Sequence, residues 1–498
     1  MPAPVAPPDA MTRVHEKLSA VDTAWLRMDR PSNLMMICSV LLFRGHLSLP
    51  RVRKLVDERF CTFARFRQRP VVTPSGAYWD DDPRFDIARH VVMERIVRPG
   101  GRAALQDLVS RLIATSLDPA HPLWRFHVVP NYDGGSAVII RIHHCYADGI
   151  ALVRVLLSMT DAGADGPPAM PFERHERPDV AHGADAEHDV LPWLAPFGNV
   201  WSMARKISAV LIEKGAQMWT DPAKALELAE QGTALSAEVA RLALMQSDSP
   251  TSFKGVPGRT KRVAWADPIP LDEVKVLGKA LHASVNDVLL SCVAGALRGY
   301  LASRGETVSG VTIRALVPVN LRPMEKAWEL GNHFGLVFLD LPIGIENPVE
   351  RLYAVRANMH ALKSSMQPIV ALGLLAAMGT APRILQEALL TVLARNATAV
   401  MTNVPGPPTT LYLAGARIDQ IMFWVPQSGD IGVGVSIISF NDAVQFGMVT
   451  DRGLCPHPEK VIERFGAEFE TLLLATLMSP WPREGDLDPA QAAVAVGA

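Results

Sequence analysis

Cysteine is scarce in this chain, and the five present, Cys38, Cys61, Cys145, Cys292 and Cys455, are widely separated. They form neither a CxxC pair nor a His/Cys cluster, which argues against a disulfide framework and against a thiolate metal site. Charge of one sign is also missing: 49 Lys and Arg stand against 51 Asp and Glu. A near-neutral surface provides no field for gathering nucleic acid, so that partner class is set aside. Aromatics are only 6% of residues although 49% are hydrophobic, so the apolar surface is chiefly aliphatic. Long hydrophobic runs are absent too. The most apolar stretch, Pro368 to Met378, falls well short of the roughly 20 residues that cross a bilayer. Met1 to Ala10 has no charged start followed by an apolar stretch, and predicts no secretory signal. A reduced, cytoplasmic setting is expected, with membrane contact at most peripheral.

What is there is length: 498 residues exceed one ordinary core and predict two lobes able to hold a site between them. Asn33–Phe43 reads as a strand, and Arg51–Phe60 as a helix with Val52, Leu55, Val56 and Phe60 on one face. A helix follows over Arg102–Leu117. Trp124–Val129 and Ser136–His144 read as a hairpin around Asn131, Asp133, Gly134 and Gly135. Helical spacing from Ile150 to Met159 then places residues 143–149 in a strand-to-helix loop, where exposed chemistry is often carried.

Pro, Gly, Asp and His crowd Asp161–Leu191, which marks a linker. The first lobe is set at residues 1–185, followed by a helical connector over 186–255 with apolar spacing through Val200–Gln246. This connector either bridges the lobes or lies on a bilayer surface. The second lobe, 256–480, restarts with a strand at Arg262–Trp265 and helices from Leu271 and Val285, the latter opened by a capping box of Ser284 and Asp287. Strands are expected at Val311–Val317, Phe334–Leu341, Ala399–Val404, Ile418–Trp424, Gly432–Phe440 and Val444–Thr450. A final helix covers Pro458–Met478, and 481–498 reads as a flexible tail. The pattern is α/β, with mixed sheets and covering helices.

The most informative string is Ile142-His143-His144-Cys145-Tyr146-Ala147-Asp148-Gly149. Adjacent residues of an extended chain face opposite ways, so one imidazole can meet a cleft while the other packs. With an ordinary pKa of about 6.5, an imidazole can take a hydroxyl proton near neutrality and hand it to a leaving group. The alternative is a satisfied loop, with both rings bonded to backbone and Asp148 capping the next helix.

This string matches the HHxxxDG motif of the CoA-dependent acyltransferase superfamily, which includes chloramphenicol acetyltransferase, carnitine acyltransferases and nonribosomal condensation domains. The chain most resembles bacterial wax ester synthase/diacylglycerol acyltransferase. The resemblance rests also on Pro122-Leu123-Trp124, Ser284-Val285-Asn286-Asp287-Val288, Asn403-Val404-Pro405-Gly406-Pro407, Leu18-Ser19-Ala20-Val21-Asp22 and Gly331-Asn332-His333-Phe334-Gly335, in family order across both lobes.

The resemblance implies a two-lobed chloramphenicol-acetyltransferase-like fold with a tunnel between the lobes, open to acyl-CoA and to a diacylglycerol or long-chain alcohol. It implies that His144 is the general base, that His143 supports the loop, that Asp148 holds it by a structural ion pair, and that Gly149 permits the turn into the helix. Asn286, at a helix start beside the cleft, is the candidate oxyanion donor, the alternative being a helix-terminal polar residue. Pro122, Leu123, Trp124 and Asn403 are substrate-side candidates, although Trp124 could as well be core and Asn403–Pro407 a turn. Arg322 is a candidate partner for Asp148. No metal and no cofactor is expected, acyl-CoA being a substrate. A carrier-protein-dependent condensation enzyme and a non-catalytic lipid-binding relative remain as alternatives.

Overall fold

The computed structural model describes residues 16–73, 76–97, 100–169, 244–321, 330–332, 334–363, 365–380 and 395–478, together with Glu238, Arg241 and Leu242. Arg322, most of the expected connector, most of the 161–191 linker and the tail from 479 lie outside the described residues.

Two mixed sheets form the body. In chain order the strands are β1 (Glu16–Lys17), β2 (Met36–Arg44), β3 (Gln68–Thr73), β4 (Gly76–Asp81), β5 (Val91–Met93), β6 (Trp124–Tyr132), β7 (Gly135–His143) and β8 (Lys261–Trp265). Then come β9 (Ile269–Pro270), β10 (Ile313–Asn320), β11 (Phe334–Leu341), β12 (Ala399–Pro405), β13 (Tyr412–Leu413), β14 (Ala416–Trp424), β15 (Val433–Phe440) and β16 (Ala443–Asp451). The first large sheet runs β13-β14-β2-β7-β6-β5 and the second β11-β10-β12-β15-β16-β8, with β9 also on β16; β1-β4-β3 form a small third sheet. The expected hairpin is present: β6 and β7 pair antiparallel, turned by Asp133 and Gly134, both at positive φ.

The helices are α1 (Ala20–Arg27), α2 (Leu49–Glu58), α3 (Ile87–His90), α4 (Arg102–Ile113), α5 (Gly149–Ser158), α6 (Leu271–Ala280), α7 (Val285–Ser303), α8 (Pro348–Lys363), α9 (Gln367–Thr380) and α10 (Glu459–Met478). Most of them bury apolar residues against a sheet or another helix. On α2, Val52 and Val56 one turn apart are buried and Phe60 follows them inward. The capping box that opens α7 is formed: Ser284 Oγ accepts from the Asp287 amide at 3.2 Å, and Asp287 Oδ2 accepts from the Ser284 amide at 2.8 Å. Among the described residues no single helix is long and apolar enough to cross a membrane.

Two strands, β13 and β14, depart from the lobe boundaries read in the sequence. β14 falls inside 256–480, yet it pairs antiparallel with β2 and completes the first sheet, Arg417 opposite Arg44 and Trp424 opposite Cys38. Residues 425–432 then return the chain to β15 of the second sheet. Alternation predicts a strand here but carries nothing about which sheet accepts it. The crossover stitches the lobes together and brings Phe423, Val425 and Pro426 over the space between them.

Candidate active site

β7 ends at His143, and the chain turns through 144–148 into α5. The turn is fixed by backbone bonds to distant segments: the His144 amide donates to the Met35 carbonyl at 2.7 Å and the Asp148 amide to the Gly331 carbonyl at 3.2 Å. Asp148 caps α5, its Oδ1 accepting from the Ala151 amide at 3.0 Å.

The two imidazoles do occupy different surroundings. His143 is packed away from the cavity; its Nδ1 accepts from the Cys145 amide at 3.2 Å, and its Nε2 lies 3.9 Å from Asp29 Oδ1. Burial, with His144 alongside, pushes its pKa down to about 3. His144 lies face to face with Trp25, ring centroids 4.1 Å apart, and 5.6 Å from the Phe334 ring. Desolvation lowers its pKa to about 4, opposed by a contact with its own backbone, by the Asp148 carboxylate and by the Asn332 side chain. The ring is therefore unprotonated at neutral pH, as a base must be.

His144 opens onto a cavity of about 280 Å³ between the sheets. Trp25, Phe334, Leu336, Val400, Val404, Phe423, Val425 and Pro426 make its wall largely apolar, while Asp148, Asn320, Thr402 and Asn403 supply polar edges. Nδ1 of His144 is buried without a hydrogen-bond partner, so Nε2 is the nitrogen available to the cavity.

Gly149 lines the same cavity, but its φ is not positive, so the turn does not require glycine there. A Cβ at Gly149 would meet nothing within 4 Å. Its hydrogen side chain keeps space open, and this corrects the expectation that it serves the turn.

Asn403 lines the cavity and its Nδ2 donates to Asn286 Oδ1 at 2.5 Å. Asn286 itself is exposed and is not among the cavity-lining residues, so of the two amides Asn403 stands nearer the chemistry.

Pro122, Leu123 and Trp124 do not reach the cavity wall. Trp124 stacks on His90 at 4.3 Å, meets Phe60 edge-on, and donates from Nε1 to the Phe66 carbonyl at 2.8 Å. The Leu123 peptide is held from both sides by the motif loop: its carbonyl accepts from the His143 amide at 2.9 Å, and its amide donates to Tyr146 Oη at 3.0 Å. These residues brace the loop, and the substrate-side expectation is corrected accordingly.

Sequence reasoning passed over Trp25, which gave no signal beyond being an aromatic one turn after Asp22. It left Asp22 and Asn332 without roles. Asn332 Nδ2 donates to both Asp22 Oδ1 and the His144 carbonyl, each at 2.8 Å.

The family model described as wax ester synthase/diacylglycerol acyltransferase catalytic domain matches residues 18–289, and that described as WS/DGAT C-terminal domain matches residues 330–473. A putative diacylglycerol O-acyltransferase of Mycobacterium tuberculosis is 29% identical over 455 residues, covering 88% of this chain and 91% of its own. A probable diacylglycerol O-acyltransferase of the same species is 28% identical over 409 residues, covering 79% and 81%. The fold is shared with the wax ester synthase/diacylglycerol acyltransferase of Marinobacter aquaeolei VT8, at a TM-score of 0.66 and 20% identity over 93% of this chain and all of that one. It is shared more distantly with the starter condensation domain of rhizomide synthetase, at a TM-score of 0.53 and 13% identity, covering 95% and 97%. The expected two-lobed α/β architecture is thus the observed one, and the chain belongs to the wax ester synthase/diacylglycerol acyltransferase family.

Proposed function

We propose that the chain transfers a long-chain acyl group from acyl-CoA to the hydroxyl of diacylglycerol or of a long-chain alcohol, with His144 as general base. The observation that carries the reading is the His144 imidazole opening onto a largely apolar cavity between two sheets. His144 Nε2 takes the proton of the acceptor hydroxyl as its oxygen attacks the thioester carbonyl, forming the C–O bond and a tetrahedral oxyanion. The carbonyl re-forms, the C–S bond breaks, and the proton on Nε2 passes to the departing CoA sulfur. Ester and free CoA are produced and the ring is neutral again.

The amide pair of Asn403 and Asn286 is the donor group assigned to the oxyanion; one such donor contributes about 3 kcal/mol of barrier lowering. Its support is the position of Asn403 on the cavity wall. Asp148 acts through the loop: its carboxylate accepts a helix-terminal amide and raises the proton affinity of His144. The cavity's volume of about 280 Å³ lies just under the roughly 300–1,000 Å³ of small-molecule sites, so it suits the reacting groups of two substrates and not their whole chains. Both acceptors partition into lipid, which favours work in peripheral contact with a membrane or lipid-inclusion surface.

The test is purified protein with palmitoyl-CoA and either diacylglycerol or hexadecanol, following release of CoA thiol and formation of the ester. Transfer to at least one acceptor, lost in His144→Ala, is expected. Wild-type turnover in a folded His144→Ala variant would remove the base from the scheme. Transfer from acyl carrier protein but not from acyl-CoA would favour a condensation-type enzyme instead.

A further inference from the structure

Pairing of β14 with β2 ends at Trp424, opposite Cys38, and pairing of β15 with β16 begins at Val433. Residues 425–432 lie outside both ladders, yet Val425 and Pro426 line the cavity that His144 faces. The same two residues border a small cleft with Asn33, Lys261 and Gln427. A proline has no amide to offer a neighbour, so this stretch has to be held by its carbonyls or from further along.

Asn33 holds it. Its side chain is buried, and Nδ2 donates to the Gly429 carbonyl at 2.7 Å and to the Ile431 carbonyl at 3.0 Å. Oδ1 accepts from Nζ of Lys261 at 2.9 Å, and Lys261, itself buried, lies 3.3 Å from Asp451 Oδ2 across the β8–β16 ladder. Asp451 grips the same stretch through its backbone, its amide donating to the Gly432 carbonyl at 2.7 Å. Turning the Asn33 amide over would set its oxygen against two carbonyls and its NH2 against an ammonium, so the network decides which atom is which. A buried ion pair is a weak source of stability, since apolar side chains of like volume often serve as well; fixing one arrangement is its better-attested use.

The Asn33 backbone is fixed too, its amide and carbonyl exchanging bonds with Arg30 at 3.0 and 3.2 Å. Two residues on, the Met35 carbonyl accepts the His144 amide at 2.7 Å. One short segment thus grips the base loop at one end and the cavity wall at the other.

We propose that Asn33 is a positioning residue for acyl transfer: clamped on Gly429 and Ile431, and pinned by Lys261 and Asp451 to the second sheet, it sets how far Val425 and Pro426 stand from His144. The cavity is built from both sheets, so neither sheet alone fixes its width, and the segment from Asn33 to Met35 supplies the common reference. Asn33 is not among the cavity-lining residues and acts through the crossover. The effect on catalysis rests on the acyltransferase reading; the clamp itself does not.

The test is hydrogen exchange of the full chain read by mass spectrometry, together with steady-state rates on palmitoyl-CoA and either acceptor. In the wild type, residues 425–432 are expected to exchange slowly, as β14 and β15 do. Asn33→Asp keeps the shape and an acceptor for Lys261 but removes both donors. It is expected to speed exchange in 425–432 and not in β6 and β7, and to raise KM for the acceptor roughly 10-fold with a smaller fall in kcat. A brace serving stability alone would lower the folded fraction, and with it kcat, at unchanged KM; that result overturns the proposal, as does wild-type exchange in Asn33→Asp. Fast exchange of 425–432 in the folded wild type overturns it before any variant is made. Loosening confined to 425–432, in a protein that transfers no acyl group to either acceptor, upholds the clamp and removes the reaction it was assigned to serve.

Discussion

Trp25 lies flat against His144, the two ring planes 15° from parallel. The base is thus held between a stacked indole and the loop that carries it, and α1, which supplies the indole, itself packs closely on α9: a Cβ at Gly379 would collide with the Ala20 carbonyl. Removing the indole should free the ring and cut into the core together. Trp25→Ala is expected to lose about 3–5 kcal/mol of stability and most of its turnover. Trp25→Phe keeps a stacking face and should retain far more of both. Denaturant melts alongside steady-state rates would separate the two variants; equal activity of both would show that stacking is irrelevant.

His143 and His144 should fail in different ways. His143→Ala takes away the acceptor for the Cys145 amide and leaves that donor buried, at a cost of about 1–3 kcal/mol. Its residual activity should recover in part under stabilising conditions such as added osmolyte, whereas that of His144→Ala should not. Identical, irreversible loss in both would contradict the separate environments of the two rings.

Acid should destabilise the fold before it protonates the base. Burial drives His90 and His144 to about 4, and His127 and His143 to about 3. Each folded pKa lies below the unfolded value of about 6.5, so the unfolded chain binds protons first. Their stabilising contribution is complete above about pH 6.5 and is lost as the pH falls toward 4, by at most about 1.4 kcal/mol per group per pH unit. Asp22 opposes this trend. Its carboxyl is raised to about 6 by burial, so between about pH 6 and 4 the folded state binds its proton more tightly than the unfolded one. Melting temperatures measured from pH 7 to 4 should fall steeply, and more steeply still in Asp22→Asn; a flat profile would mean the imidazoles are hydrated.

Gly149 offers a test of cavity space. Gly149→Ala adds a methyl where nothing lies within 4 Å and where φ suits any residue, so the fold should be unharmed, with stability within about 1 kcal/mol of the parent. The methyl takes room beside His144, and kcat/KM should fall more for diacylglycerol than for a linear alcohol. An equal fall for both would place the acceptors elsewhere.

Trp124 should behave as a brace. Trp124→Phe leaves the Phe66 carbonyl without its donor and is expected to cost about 1–3 kcal/mol while KM for both substrates stays near the parent value. A selective rise in one KM, at unchanged stability, would restore a substrate-contacting role.

Much of this was legible in the chain because it is local. The bounds of Phe334–Leu341, the capping box at Ser284 and the loop after His143 follow from alternation, cap chemistry and a run of unusual residues. What was not legible depends on partners far away in sequence. The sheet that takes up 416–424 is chosen by register with Met36–Arg44, the retreat of Trp124 from the cavity by its fit against His90 and Phe60, and the place of Trp25 by α1 coming to rest behind the loop. Asn332 was visible as part of a string, but a side chain's bridging of two distant segments, Asp22 and His144, cannot be read from spacing.

The exchange of β14 bears on how the protein is made. During synthesis the strand that will carry His143 emerges early, yet β2 stays an open edge until Arg417 and its neighbours arrive to cover it. The first half therefore cannot finish folding on the ribosome by itself, and pairing across so long a stretch of chain is slow. Expressing residues 1–185 alone should yield an aggregating fragment, and the base can be built only once nearly the whole polypeptide exists.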